Sequence, residues 1–368
     1  MRIGLVVPGF SADTTDWCIP ALRHLTEQLA QTDEVHVFAV RYPYRAARYR
    51  VGRADVTAIG GARRRGWTTG QVWRRTVAAL IAEHRRRPFD VFHAFWATES
   101  GLLTALAAKV LRRPGIVSLA GGELVGLRDI GYGDQLSAAQ RLKVHASMRL
   151  ADLVTAGSSN LLALAGRSVP AARLRRAPLG VDTRLFQAAS SWPAEPRLVH
   201  VGALTPVKDQ ATLLGAFAAL CGRLPSVTLD IVGDGPLRAE LGRLAVQLRV
   251  DERVRFTGQI AHDALPGVYQ AGTVFALSSR HEAQGMVALE AAACGRPVVG
   301  THVGVVPEVG ESVAIRDAEA LAGALTRACE EAQHAQRLAV AGRQLVDSTY
   351  SLDRAAAGFR ALYAAVSG

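Results

Sequence analysis

Short apolar runs alternate with amphipathic stretches along the whole chain. In the first half, residues 3–8, 35–40, 91–96, 116–119 and 153–156 are compact and mostly apolar. Such runs suit strands buried on both faces, as in a parallel sheet. Between them, 19–30, 71–87, 101–111 and 138–150 carry helical spacing. The second half repeats the scheme, with strands at 198–201, 228–232, 254–257, 274–277 and 298–300. Its helices fall near 209–223, 235–249, 263–271, 285–294 and 317–345. Strand–helix alternation implies a parallel sheet, and two series imply two doubly wound α/β domains. Ser190-Ser-Trp-Pro-Ala-Glu-Pro196 breaks the pattern just before a new strand opens, which sets the expected domains at 1–190 and 191–345.

A length of 368 residues agrees with two cores rather than one. No run approaches the roughly 18 apolar residues of a membrane span, and the first residues read as a strand rather than a signal peptide. The four cysteines (Cys18, Cys221, Cys294, Cys329) are scattered and form no Cys-x-x-Cys pair. That spacing predicts a cytoplasmic chain with neither a disulfide framework nor a zinc site.

The net charge of +11 is uneven. Residues 1–184 carry a net of +13, and residues 185–368 a net of −2. Much of the excess lies in 41–87, which includes Arg63-Arg-Arg65, Trp67, Trp73-Arg-Arg75 and Arg85-Arg-Arg87. The plain reading is a solvated arginine face. The sharper one is peripheral contact with anionic lipid headgroups, helped by interfacial tryptophans. No nucleic-acid recognition motif accompanies these arginines, so no nucleic-acid partner is expected.

The densest chemistry lies in Ser278-Ser-Arg-His-Glu282-Ala-Gln-Gly285-Met-Val-Ala-Leu-Glu290. Gly285 permits a sharp turn into a helix and close approach of a ligand. The first-turn amides of that helix form an anion site. Eight residues of helix rise about 12 Å and return to nearly the same face. Glu282 and Glu290 therefore flank an anion with two carboxylates, a layout for a phosphate-bearing polyol such as a nucleotide sugar. Upstream, Gly202-Ala-Leu-Thr-Pro-Val-Lys208 follows a strand, and a lysine at the carboxyl end of a parallel strand faces the ligand crevice. Lys208 there is either a solvated loop residue or the cation on a diphosphate leaving group. Gly233-Asp-Gly235-Pro is either a structural turn or room for a nucleotide. The glycine-rich exit from Gly295 to Glu308 is either a plain loop or a lining of backbone amides.

Together with Ala177-Pro-Leu-Gly180-Val-Asp182, these segments resemble the retaining glycosyltransferases of family 4. The resemblance spans nearly the whole chain and is strongest over 175–310. It implies a GT-B-type fold, two Rossmann-like doubly wound domains facing a central cleft, with the acceptor on the first and the donor on the second. It also implies that 346–368 is a helix returning to the first domain. By the same resemblance Glu282 faces the donor sugar, and Gly285, Met286 and Val287 hold the diphosphate. Glu290 binds the ribose hydroxyls, and Lys208 meets the diphosphate.

The implied reaction moves a hexose from a UDP- or GDP-sugar to an acceptor hydroxyl of a glycan or lipid, with retention and with no metal or other cofactor. Two departures stand out. Many members have arginine where this chain has Ala203, and Arg280 is the substitute at hand. Many carry a histidine where this chain reads Ala120-Gly121-Gly122-Glu123. Glu123 or His93 would then act on the acceptor side, although a core role is the more ordinary reading of His93. The loop Gly9-Phe-Ser-Ala-Asp13-Thr-Thr-Asp16 is the remaining acceptor-side candidate. The competing readings are a nucleotide-sugar-binding pseudoenzyme and a nucleotide-sugar epimerase. Neither the oligomeric state nor the acceptor is legible in the residues.

Overall fold

The computed structural model describes residues 1–61 and 67–368. The chain divides into two compact units, Met1–Gly180 with Leu352–Gly368, and Val181–Ser351. The division falls between Gly180 and Val181 rather than in 190–196, because the 181–196 segment packs on the second unit. Phe186 is sealed in that unit's core, and Val181 donates its amide to the Tyr350 carbonyl.

Among the described residues the first unit has eight strands: β1 (Arg2–Gly9), β2 (Glu34–Tyr42), β3 (Ala46–Val51), β4 (Ala54–Ile59), β5 (Val91–Phe95), β6 (Gly115–Leu119), β7 (Leu153–Ala156) and β8 (Leu174–Arg176). Their order is β3-β4-β2-β1-β5-β6-β7-β8, and every pair but β3–β4 is parallel. Central β1 and β5 are buried on both faces, which is why their sequences are nearly unbroken apolar runs. The apolar-run pattern does not mark β3 and β4. In the edge strand β3 exposed and half-buried residues alternate, and Arg50 sits opposite Asp55 with Nε 2.7 Å from the carboxylate. An edge strand written with arginines imitates a basic surface stretch.

The carboxyl-terminal helix Leu352–Ser367 belongs to this first unit. Ala356, Phe359 and Tyr363 enter its core, and Arg360 bonds Asp33 at 3.0 Å. The helix starts at Leu352 rather than 346, after a π-helical turn over Val346–Tyr350.

The second unit has β9 (Arg197–Val201), β10 (Thr228–Val232), β11 (Val254–Gly258), β12 (Val274–Leu277), β13 (Val298–Thr301) and β14 (Glu311–Val313), all parallel. Their order is β11-β10-β9-β12-β13-β14. That is the doubly wound order, and its strand direction of travel reverses between β9 and β12. In doubly wound sheets the loops at the carboxyl ends of the strands beside such a reversal are where ligands bind. The single helix expected over 317–345 is two, Ala318–Glu330 and Ala332–Leu345, broken at Glu331 with non-helical φ −101° and ψ 87°. Among the described residues, no helix is long and apolar enough to cross a membrane.

Candidate functional site

The carboxyl ends of β9 and β12, at the switch point of the sheet, are where two of the sequence's polar candidates meet. Lys208 ends the loop after β9, and Glu282 lies in the loop after β12. Lys208 Nζ donates to Glu282 Oε1 at 2.5 Å, and Ser279 Oγ donates to the same oxygen at 2.6 Å. Both partners keep some exposure, 21% for the lysine side chain and 11% for the glutamate. Burial pushes the Glu282 carboxyl up. The Lys208 ammonium and the Ser279 hydroxyl outweigh it and hold the group below the usual carboxylate range.

The two loops are stitched together by backbone. Arg280 donates its amide to the Val207 carbonyl at 2.8 Å, and Ser278 Oγ donates to the Lys208 carbonyl at 2.9 Å. Behind them Gln210 Nε2 donates to the Ala203 carbonyl at 3.0 Å. It also contacts His200 Nε2 at 3.2 Å, while His200 Nδ1 bonds the Ala276 carbonyl at 2.9 Å. His200 is fully buried, and burial lowers its pKa to about 4, so it serves as a neutral brace beneath the loop. The lysine is therefore held on a rigid platform, as a site that stabilises charge requires.

Gly285 caps the helix Met286–Ala293 in the left-handed region, φ 86°. A Cβ there would lie 3.6 Å from Glu282 Cγ. Gly304, also left-handed, brings the β13 exit against the same spot: Val305 donates its amide to the Gln284 carbonyl at 2.8 Å. The structure thus gathers Lys208, Glu282, Gly285 and the β13 exit, with Met286 and Val287 half-buried at the helix start. Gly202 lies beside the lysine. A Cβ on it would stand 3.8 Å from Lys208 Cε, an ordinary contact. Gly233 and Gly235 do other work. A Cβ on Gly233 would meet the Gly202 carbonyl oxygen at 2.0 Å, and one on Gly235 the Leu204 carbonyl oxygen at 2.5 Å. Their absent side chains let the β10 exit pack on the β9 exit, so the structural reading of that turn accounts for both.

Glu290 sits apart from the Lys208 pair, on the inner side of its helix at 6% exposure. Tyr269 donates its hydroxyl to Glu290 Oε2 at 2.7 Å. Burial, partly opposed by that bond, raises the carboxyl to about 7. Ser279, His200, Gln210 and Tyr269 were not legible as parts of the site. Ser279 stands three residues before Glu282 in the same loop, which is its one local signal. Tyr269 arrives from another helix.

On the first unit the acceptor-side candidates are mostly internal. His93 is 0% exposed, with Nδ1 2.8 Å from the Tyr363 hydroxyl and Nε2 2.7 Å from Ser118 Oγ. Burial lowers it to about 3. Both ring nitrogens are engaged, which makes His93 a core histidine rather than a group presented to an acceptor. Glu123 is also 0% exposed. Its carboxylate accepts from the amides of Ala97 (3.2 Å), Ala120 (3.0 Å) and Gly121 (2.6 Å), and burial raises its pKa against those bonds. It clamps the β5 and β6 exits together. Gly9 allows the β1 exit to pass Tyr42, since a Cβ would stand 3.0 Å from that residue's Cβ. Asp13 and Asp16 build the same loop internally: Asp16 Oδ2 accepts from Ala12 N at 2.7 Å and the Tyr42 hydroxyl at 2.8 Å, and Asp13 Oδ1 from Thr15 N at 2.8 Å.

Of the basic stretch, Arg63, Arg64 and Arg65 lie outside the described residues. Arg41, Arg86 and Arg87 pair with Glu99, Glu83 and Glu34, while Arg74, Arg75 and Arg85 are exposed on the helix Trp67–Arg86.

Residues 195–331 match the family model described as Glycosyl transferases group 1. The chain is 33% identical over 211 residues to the GDP-mannose-dependent alpha-(1-6)-phosphatidylinositol monomannoside mannosyltransferase of Mycobacterium tuberculosis, covering 51% of this chain and 55% of that one. It is 32% identical over 282 residues to the D-inositol 3-phosphate glycosyltransferase of Acidothermus cellulolyticus, covering 66% and 58%. The chain thus spans little more than half the length of these curated relatives. Among solved structures, sucrose-phosphate synthase from Thermosynechococcus elongatus superposes with a TM-score of 0.82 at 24% identity, covering 99% of this chain and 98% of that one. Anabaena HepE in complex with UDP and glucose gives 0.76 at 19% identity, covering 99% and 100%. The fold is that of the GT-B glycosyltransferases, and residues 195–331 resemble the glycosyl transferases group 1.

Proposed function

We propose that this chain, a GT-B fold carrying a glycosyl transferases group 1 segment, transfers a hexose from a nucleotide diphosphate-sugar to an acceptor hydroxyl with retention of configuration. The observation that carries the reading is the Lys208–Glu282 pair at the β9/β12 switch point, beside the Gly285 helix start. A departing diphosphate needs positive charge placed before the reaction begins. Lys208 supplies a compact cation, and the first-turn amides of the Gly285 helix supply oriented dipoles. With those two, the charge work is done without a metal ion. Glu282 is held ionised by Lys208 and Ser279, so it accepts hydrogen bonds from sugar hydroxyls. Binding a diphosphate draws Lys208 partly away from Glu282 and frees the carboxylate for the hexose. Glu290, raised toward neutrality, accepts from a ribose hydroxyl at the other end of the donor. Arg280 stands in the same β12 exit as a second cation.

The relatives are named for GDP-mannose, a phosphatidylinositol monomannoside and D-inositol 3-phosphate, and HepE was solved with UDP and glucose. A donor panel of UDP- and GDP-hexoses, scored by released nucleotide diphosphate with and without EDTA, tests the reading. Release from one member, unchanged by EDTA, is expected. Donor bound but never cleaved with any acceptor contradicts the reading and favours a pseudoenzyme. Donor converted without nucleotide release favours an epimerase.

The exposed arginines of the helix Trp67–Arg86, Arg74, Arg75 and Arg85, favour a peripheral seat on an anionic membrane of the cytoplasmic side. Sedimentation with phosphatidylserine vesicles at low salt, reduced by Arg74→Gln with Arg75→Gln and Arg85→Gln, is the expected result. No sedimentation at low salt ends it.

A further inference from the structure

Tyr269 carries a buried hydroxyl that the transfer itself does not use. It lies in the helix Leu265–Ala271 and is 1% exposed. Its ring sits between Phe186 and Phe275, with centroids 6.0 and 5.7 Å away. The next residue is anchored as well, since the Gln270 carbonyl accepts from Arg296 Nη2 at 2.6 Å. The phenol is therefore fixed in place, and its hydroxyl has one acceptor, Glu290 Oε2 at 2.7 Å. Burial and the Glu290 charge push the phenol well above its usual range, so it stays a donor at every working pH.

The other carboxyl oxygen of Glu290, Oε1, accepts no hydrogen bond among the described residues and is not sealed from solvent. A free glutamate side chain turns either oxygen outward. Tied at Oε2, this one offers Oε1. The bond also favours the ionised form against the pull of burial, and the balance sets the carboxyl at about 7. Among the described residues no other charged group bonds to that carboxyl. Arg343, from the helix Ala332–Leu345, donates to the Ala293 carbonyl and to Asp347, and Tyr350 donates to Glu308. The Cys294 thiol, pushed up to about 12 by burial and by Glu290, stays neutral.

We infer that Tyr269 is a positioning residue for the donor: its hydroxyl holds Glu290 so that Oε1 is offered, as an acceptor, to a ribose hydroxyl. The inference rests on the proposed role of Glu290 in binding ribose.

Calorimetry of the full chain with UDP and GDP, each beside its 2′,3′-dideoxy counterpart, tests this across neutral pH. The counterpart carries the same diphosphate, so the ratio of the two affinities reports the ribose contact alone. In wild type the ratio should rise as pH rises through about 7, because the ionised carboxyl accepts more strongly at Oε1. In Tyr269→Phe, shown folded by its melting curve, nothing opposes burial. The rise should then move to higher pH, and the ratio at neutral pH should fall about tenfold. A ratio equal in wild type and Tyr269→Phe, with Glu290→Gln lowering it, overturns the inference and leaves the ribose role of Glu290 standing. A ratio that neither change lowers, or no nucleotide bound by wild type, overturns both. If Tyr269→Phe unfolds, wild type alone decides: a ratio flat across neutral pH overturns the inference, and a rise supports it.

Discussion

At the carboxyl edge of the second sheet, Lys208 and Glu282 face each other with part of each side chain in solvent. At the same edge of the first sheet, His93 and Glu123 carry as much polar chemistry but are sealed, with their bonding atoms taken up by Tyr363, Ser118 and three backbone amides. The two edges share an architecture and differ in where the protein spends its polar groups. In the second unit buried His200 and Gln210 brace a loop so that the lysine above it is presented. In the first unit the buried groups brace the loops and present nothing of their own. A polar residue near a strand end is a site candidate only when its partners leave part of it to a ligand.

The glycines at the carboxyl edge of the second sheet divide the same way, and this gives the largest expected effect. Gly233 has φ +130° and faces the Gly202 carbonyl, so Gly233→Ala is expected to destabilise the chain by about 3 kcal/mol or more. Gly202 meets only ordinary contacts, so Gly202→Ala is expected to stay within about 1 kcal/mol of wild type. Its nucleotide release should nonetheless fall about tenfold, because the added methyl stands beside Lys208 where a phosphate would approach. Urea unfolding beside turnover separates the two, and equal stability losses would erase the distinction drawn here.

Glu290 gives an effect of similar size that depends on pH. Its carboxyl is raised by burial from 4.5 to about 7, so the folded chain binds that proton more tightly than the unfolded chain. The stabilisation is full below about pH 4.5 and is lost as pH rises to about 7. Over that window wild type should lose about 3 kcal/mol relative to Glu290→Gln, whose amide still accepts from Tyr269. Parallel stability curves for the two chains would contradict the burial account.

The smallest effect belongs to the sealed edge. Tyr363→Phe removes the partner of His93 Nδ1 and should cost about 1–2 kcal/mol, with nucleotide release unchanged. A loss of transfer without a loss of stability would return His93 to the acceptor side.

Central strands were legible because parallel strands buried on both faces must be written in apolar residues, as β1 and β12 are. The β3–β4 hairpin was not, since exposed Arg48 and Arg50 mark an edge rather than a core. The break at Glu331 was not either, because Glu330-Glu331-Ala332 contains no glycine or proline to mark it. Lys208 and Glu282 were legible from their loops, each at a strand end. Their contact across 74 residues was legible only through strand order, which places β9 beside β12. The role of His93 turned on Tyr363, 270 residues away, and nothing local to His93 announces it.

Calorimetric titration of the full chain and of Lys208→Ala with UDP and GDP bears most directly on the proposed donor site. The arrangement of Lys208 against Glu282 and the Gly285 helix predicts that wild type binds at least one of the two. It also predicts that Lys208→Ala, folded by its melting curve, binds at least about tenfold more weakly, as loss of a charged phosphate contact requires. Equal affinity in the two chains, or no binding of either nucleotide by wild type, would contradict it.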